Sequence, residues 1–324
     1  SARVTGLPNG TTYTVTEAEV DGFTTTVNEA ETDTVSGTVK AGTTENLDFT
    51  NNYTVEPATV GNFGAGHKVL NGRDWKDTDR FVFVLTADNP GITPMPEVSE
   101  VTVRKENVQD GKAPFDFGEV TYTQPGIYTY TIDERVFELV GFRYSAAQYN
   151  VVVTVTDNGN GTLSTSTEMF MKVGHAGEQL FDDENPNGIP VAEDGAEFIN
   201  TYNAKEAAYG QVVHKNFIDR TNGSHPLTDG MFQFKLEGLE DAPMPANAQG
   251  NVIYANNVGD TAIFDQIVYT QDMAGKTFEY KITEVIPAGA TKNADGTYSY
   301  KGMTYDASEH KTEIKVSLDD SSGE

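Results

Sequence analysis

The chain has 324 residues, with 22 Lys+Arg against 49 Asp+Glu and a formal net charge of −27. That balance excludes a phosphate backbone or an anionic membrane surface as partner, because both need a basic face. There is no cysteine, which removes disulfides, thiolate metal sites and thiol nucleophiles together. No apolar run approaches the roughly 18 residues of a membrane-spanning helix. The opening Ser1-Ala2-Arg3-Val4 reads as mid-protein sequence, so a fragment of a longer chain is expected.

In chain order, the pattern has period two. Tyr13-Thr-Val-Thr-Glu17, Phe81-Val-Phe-Val-Leu85, Tyr128-Thr-Tyr-Thr-Ile132 and Val151-Val-Val-Thr-Val-Thr156 are strand-like. Turn signals separate them: Pro8-Asn9-Gly10, Asn71-Gly72, Asn158-Gly-Asn-Gly161, Asn187-Gly188, Asn222-Gly223 and Asp295-Gly296. No long amphipathic helix is present. The expected fold is all-β, of sandwich type.

An internal repeat organises the chain. Residues 67–157 carry His-Lys-Val-Leu, Phe-Val-Phe-Val-Leu, Pro-Met-Pro (94–96), Phe-Asp-Phe-Gly-Glu-Val-Thr-Tyr-Thr-Gln (115–124), Tyr-Thr-Tyr-Thr-Ile-Asp-Glu and Tyr144. Residues 214–318 carry His-Lys-Asn-Phe, Phe-Gln-Phe-Lys-Leu, Pro-Met-Pro (243–245), Phe-Asp-Gln-Ile-Val-Tyr-Thr-Gln (264–271), Phe-Glu-Tyr-Lys-Ile-Thr-Glu and Tyr305 in the same order. Lys68 precedes Glu134 by 66 residues and Lys215 precedes Glu284 by 69. Three segments are expected: 1–54, the end of one β-sandwich; 55–204, a complete one; and 205–324, one lacking its last strand. Residues 54–61 and 203–210 read as linkers.

Three residue types recur in three strand contexts. A Lys lies in the first strand of the repeat (Lys68, Lys215). A Glu closes a Tyr/Thr-alternating strand (Glu17, Glu134, Glu284). An Asn sits between Phe and Tyr in the last strand (Asn51, Asn200). Alternation places Tyr128, Tyr130, Ile132 and Glu134 on one face, and likewise Tyr13, Val15 and Glu17. If those faces are core, each carboxylate is buried and needs a partner. A hydrogen-bonded polar core cluster satisfies that need as well as a chemical site does.

These residues resemble the intramolecular isopeptide domains of Gram-positive surface proteins. Residues 61–202 are similar to the streptococcal pilin isopeptide-linkage domain. Gly6-Leu-Pro-Asn-Gly-Thr-Thr-Tyr-Thr-Val-Thr-Glu17 and Phe49-Thr-Asn51-Asn-Tyr53 are similar to the end of a collagen-adhesin B-type domain. The resemblance implies tandem immunoglobulin-like β-sandwiches and an autocatalytic Lys68–Asn200 bond promoted by Glu134. It implies that Glu284 and Glu17 are promoters too, with Lys215 and Asn51 bonded to partners outside this sequence. It implies a cell-wall-anchored surface stalk, adhesin or pilin, with no enzymatic turnover and no cofactor. The alternative reading is a ligand-binding adhesin module in which loops or the 178–196 insertion contact a host protein or glycan. The partners expected are neighbouring pilin or adhesin domains, or a host surface ligand.

Burial among aromatics suits the chemistry, since it lowers a lysine pKa and raises a glutamate pKa. Other signals are weaker. Asp183-Glu-Asn-Pro-Asn-Gly188 with Asp194 partly matches a calcium loop, but reads better as a solvated acidic loop. His67 and His214 should face away from their neighbouring lysines and be exposed. With His175, His225 and His310 scattered, no histidine-based catalytic or metal cluster is expected. Neither a Leu-Pro-x-Thr-Gly sorting motif nor a Tyr-Pro-Lys pilin motif is present.

Overall fold

The computed structural model describes residues 2–192 and 194–319. Strands dominate, and the helices among the described residues are two short 3-10 turns, Lys105–Asn107 and Gln271–Met273. Two compact units emerge: residues 1–137 with 144–201, and residues 138–143 with 202–324.

In the first unit the central repeat is a two-sheet sandwich. One sheet is antiparallel and six-stranded, in the order Ile189–Pro190, Leu163–Val173, Gln148–Asp157, Gly126–Glu134, Arg80–Ala87, Glu100–Arg104. In the facing sheet Lys112–Phe115 pairs antiparallel with Gly66–Asn71, which pairs parallel with Ala196–Tyr202. The first and last strands of the repeat are therefore side-by-side neighbours running the same way.

Alternation works as period two requires. On Gly126–Glu134 the residues Tyr130, Ile132 and Glu134 are buried, while Thr129, Thr131 and Asp133 are half-exposed. Aromatic rings join the sheets. Phe83 stacks on Phe115 at 3.9 Å between centroids and lies 5.0 Å from Phe198, whose other flank meets Tyr149 at 5.2 Å.

Residues 54–61 are not a free linker. Ala58–Val60 forms a strand paired with Val120–Tyr122. In the second unit Ala207–Tyr209 pairs with Ile267–Tyr269 in the same manner, so both expected linkers are partly built into the repeats. Three-residue strands carry too few positions to show a period, and their partners lie some sixty residues away in sequence.

The second unit has a four-stranded antiparallel sheet, Val252–Asn256, Gln233–Gly238, Thr277–Glu284 and Glu309–Lys315 in that order. Its core gathers Phe232, Phe234, Leu236, Ile267, Tyr280 and Ile282. One device recurs in both units and explains the repeated Pro-Met-Pro. Tyr122 and Tyr130 hydroxyls meet at 2.9 Å, and Tyr130 donates to the Pro94 carbonyl at 2.7 Å. Tyr269 donates to Tyr280 at 3.0 Å, and Tyr280 donates to Pro243 at 2.9 Å. Each buried hydroxyl pair thereby finds its acceptor in the turn that the prolines shape.

Residues 2–53 form two small sheets, Thr12–Thr16 with Thr34–Thr38, and Phe23–Val27 with Ala30–Glu31 and Phe49–Tyr53. Val27 is the only buried hydrophobic residue among the described residues of this segment, and Val15 is 41% exposed. Tyr53 reaches the turn of the Gln148–Asp157/Leu163–Val173 hairpin, donating to Asp157 Oδ1 at 2.6 Å. There the backbones of Gly22 and Gly161 touch, and Glu56 N–H donates to the Gly161 carbonyl at 2.8 Å. Both glycines have φ near +80° (+84° and +81°), where a side chain would be strained as well as obstructed.

Candidate isopeptide site

Lys68 and Asn200 come from the two parallel neighbours of one sheet. Lys68 lies opposite Phe198, and Asn200 lies opposite Leu70, so the two side chains share the core-facing side. Glu134 comes from the other sheet, at the end of its strand, where it lies opposite Phe83. The carboxylate spans the sandwich. Lys68 Nζ donates to Glu134 Oε2 at 2.8 Å, and Asn200 Nδ2 donates to Glu134 Oε1 at 2.7 Å. Lys68 and Asn200 are fully buried and Glu134 is 8% exposed. The fold brings Lys68, Glu134 and Asn200 together.

The surroundings favour neutral forms. Burial pulls the Lys68 amine down from 10.5 to about 8, against the opposing attraction of Glu134. Burial pushes the Glu134 carboxyl up, against the charge and hydrogen bonds of Lys68 and Asn200. The Phe81 ring lies 4.8 Å from Lys68 Nζ and closes one side of the amine's surroundings.

The Asn200 orientation is fixed at both ends. Its Oδ1 accepts from the Ser145 N–H at 2.7 Å while its Nδ2 faces Glu134. Flipping the amide would set its NH2 against an N–H and its oxygen against a carboxylate. This backbone donor is the part of the site that residue types do not reveal. Tyr144, its neighbour, belongs to the repeat; nothing in the pattern points to the amide that follows.

In the second unit Lys215 Nζ donates to both Glu284 oxygens, at 2.9 and 3.0 Å, and lies 4.3 Å from the Phe232 ring centroid. The Asp306 N–H donates to Glu284 Oε2 at 2.8 Å. No asparagine joins this pair among the described residues. In the N-terminal segment Asn51 Nδ2 donates to Glu17 Oε1 at 2.9 Å, and Thr25 Oγ1 donates to Asn51 Oδ1 at 2.8 Å. Glu17 Oε2 is buried without a hydrogen-bond partner. Here Asn51 is exposed and Glu17 half-exposed, so this pair is not enclosed as the central set is.

His67 departs from expectation. It is buried, because Glu197 and Lys112 on the flanking strands fold over the sheet's outer face. His67 Nε2 lies 2.7 Å from Glu197 Oε2 and 3.0 Å from Lys112 Nζ. His214 is exposed, as expected. Trp75 packs edge-on against Phe81 at 5.1 Å, as a core-rim residue. Among the described residues no group of three or more His, Asp or Glu side chains could hold a metal. Among them, too, no helix is long and apolar enough to cross a membrane.

Residues 65–203 and 212–324 both match the family described as Spy0128-like isopeptide containing domain. Residues 1–53 match a family described as a domain of unknown function, DUF7601. A pilin of Streptococcus pyogenes serotype M1 is 31% identical over 116 residues, which are 36% of this chain and 32% of that protein. The chain thus spans about a third of this curated relative. Among solved structures, a major pilin from Streptococcus pyogenes aligns at 17% identity with a TM-score of 0.35, covering 81% of this chain and all of that one. The T-13 major pilin from the same species aligns at 16% identity with a TM-score of 0.31, covering 80% and 98%. With both repeats matched, the chain belongs to the Spy0128-like isopeptide containing domain family.

Proposed function

We propose that this chain is a load-bearing segment of a bacterial surface stalk of pilin or adhesin type, hardened by a self-formed bond between Lys68 and Asn200. The observation that carries this reading is the buried Glu134 carboxylate, which bridges the amine at 2.8 Å and the carboxamide at 2.7 Å. Family membership and the pilin relative support it.

The step balances without a co-reactant. Glu134 takes a proton from the Lys68 ammonium, leaving a neutral amine and a neutral acid, as burial favours for both. Nζ attacks Asn200 Cγ, and the carbonyl electron pair moves to Oδ1. Glu134 gives its proton to Nδ2 and takes one from Nζ. The carbonyl re-forms and ammonia leaves. One C–N bond has formed and one has broken, and Glu134 remains as the neutral acid. Folding holds both reactants in place, so a slow bimolecular reaction becomes an intramolecular one. It occurs once per domain, with no turnover.

On this reading Glu284 and Glu17 are promoters of two further sites. Among the described residues Lys215 meets no Asn and Asn51 meets no Lys at these sites. The division at 54/55 and 204/205 follows from the same reading, as does placement on the wall-anchored surface among neighbouring pilin or adhesin domains.

Intact mass of the purified chain tests it. Wild type should lack the mass of one ammonia relative to its sequence, and Glu134→Ala should restore it. Full sequence mass in wild type would reduce Lys68, Glu134 and Asn200 to a polar core cluster.

A further inference from the structure

The two repeats use one backbone amide differently. Ser145 follows Tyr144, and Asp306 follows Tyr305 at the corresponding place. In the central repeat, where an asparagine is present, this N–H donates to the Asn200 carbonyl oxygen at 2.7 Å. In the second unit, with no asparagine among the described residues, it donates to Glu284 Oε2 at 2.8 Å. The amide points into the site in both cases.

The same local device aims it. The side-chain oxygen of each residue accepts from the N–H two residues on. Ala147 N–H donates to Ser145 Oγ at 3.2 Å, and Ser308 N–H donates to Asp306 Oδ1 at 2.8 Å. Such turns fix the backbone of the residue that makes them. The central repeat adds a second tie. Ser145 Oγ lies 3.0 Å from His175 Nδ1, and the Ala146 N–H donates to the His175 carbonyl at 3.1 Å. Ser145 is 5% exposed, so water does not compete for its amide.

We propose that the Ser145 N–H is the oxyanion donor of the Lys68–Asn200 reaction, held on target by Ser145 Oγ and His175, and that the Asp306 N–H has this role in the second unit. The proposal rests on the bond-forming reading above. When Nζ adds to Cγ, negative charge collects on Oδ1, and a donor already aimed there needs no reorganisation. The Ser145 N–H already lies 2.7 Å from the ground-state oxygen, and to act it must stay within about 2.7–3.1 Å of Oδ1 as Cγ becomes tetrahedral. Glu134 serves the other end of the carboxamide, where the nitrogen must leave as ammonia. In the second unit the Asp306 N–H is poised to pass from Glu284 to the oxygen of an arriving asparagine. Ser145 and His175 side chains touch no reacting atom; they are positioning residues.

The test follows ammonia loss over time in the full chain made by pulsed cell-free translation, quenched in acidic denaturant and read by intact mass. Replacing the serine at 145 by its α-hydroxy analogue turns the amide into an ester and deletes the N–H, with the Ser145 side chain kept and the Tyr144 carbonyl a weaker acceptor. Bond formation should slow about 10²–10³-fold, while long incubation still removes one ammonia from the ester chain's own mass. Ser145→Ala keeps the N–H but loses the turn and the His175 contact, and it should slow the reaction about tenfold with an unchanged thermal transition. His175→Ala should slow it to a similar extent. A wild-type rate in the folded ester chain overturns the proposal. If the ester chain does not fold, the Ser145→Ala rate decides, and a wild-type rate there overturns the proposal equally. If wild type itself loses no ammonia, the bond-forming reading has failed instead, so the two failures stay distinct.

Discussion

The double substitution Lys68→Met with Glu134→Gln separates a covalent site from a buried ion pair. The proposed Lys68–Asn200 bond would close a loop of about 130 residues, which on the loop-entropy model contributes about 5 kcal/mol. The near-isosteric pair of substitutions removes both charges at once, so no uncompensated ion is left in the core. The carbonyl oxygen of the introduced glutamine can still accept from Asn200 Nδ2, as Glu134 Oε1 does at 2.7 Å. Its unpaired amide NH2, beside the introduced methionine, costs about 1–3 kcal/mol. If Lys68 and Glu134 were only an ion pair, the double variant would lose just that, since exchanging a buried pair for neutral side chains of similar size is often near neutral. For a domain of this size, 1 kcal/mol moves Tm by about 3 °C. Calorimetry of the central repeat should therefore show Tm lower by about 20 °C, against about 3–9 °C for the ion-pair alternative. A fall within the smaller range refutes the covalent reasoning, whatever the mass measurement suggests about trace bonding.

Three further outcomes follow from the geometry. An unreacted Asn200→Ala chain keeps a buried Lys68 amine whose pKa falls from 10.5 to about 8 on folding. The unfolded chain then binds the extra proton between those values, so stability should rise with pH from 8 to 10.5, by about 3 kcal/mol. Bonded wild type, with no free amine there, should lack this rise in urea titrations; equal slopes would refute it. Gly161→Ala should loosen residues 2–53 from the hairpin turn, because its Cβ would lie 2.6 Å from Gly22 Cα at a φ of +81°. Faster proteolysis at 54–57 with an unchanged central Tm is expected, and unchanged cleavage would count against that contact. Tyr130→Phe strips the Pro94 carbonyl and the buried Tyr122 hydroxyl of a partner, at about 1–3 kcal/mol. Tyr280→Phe should do the same to the second unit, and a Tm shift under about 1 °C in either would refute the role given to this device.

The Lys–Glu–Asn set is legible in the sequence because each member sits in a patterned strand whose neighbours declare the buried face. Tyr130 and Ile132 commit Glu134 to the core, and Phe198 and Tyr202 commit Asn200. The same logic fails at His67, where alternation assumes that the second face of a strand is wet. Lys112 and Glu197 roof that face with their own side chains, a contact between residues 45 and 130 positions away. It is also incomplete at Val15, which has the alternation of a core strand yet is 41% exposed. The Ser145 donor is beyond reach for a different reason. Every residue except proline carries an N–H, so only the fold can single one out.

The parallel pairing of Gly66–Asn71 with Ala196–Tyr202 decides what the proposed bond would do under load. The chain enters this strand pair beside Gly66 and leaves it beyond Tyr202, at opposite ends. Tension applied at the two ends of this repeat therefore loads the pair in shear. Without a covalent tie, the backbone hydrogen bonds between these strands carry the load, and their rupture exposes the sandwich to unfolding. With Nζ of Lys68 joined to Cγ of Asn200, the load-bearing path runs from Gly66 to Lys68, across the bond, and from Asn200 to Tyr202. The intervening hundred-odd residues, including both sheets' aromatic contacts, drop out of that path. A disulfide at the same place would need two cysteines and an oxidant, and it could be reduced again. The isopeptide route needs only the burial that folding already supplies, which is consistent with a chain that has no cysteine at all.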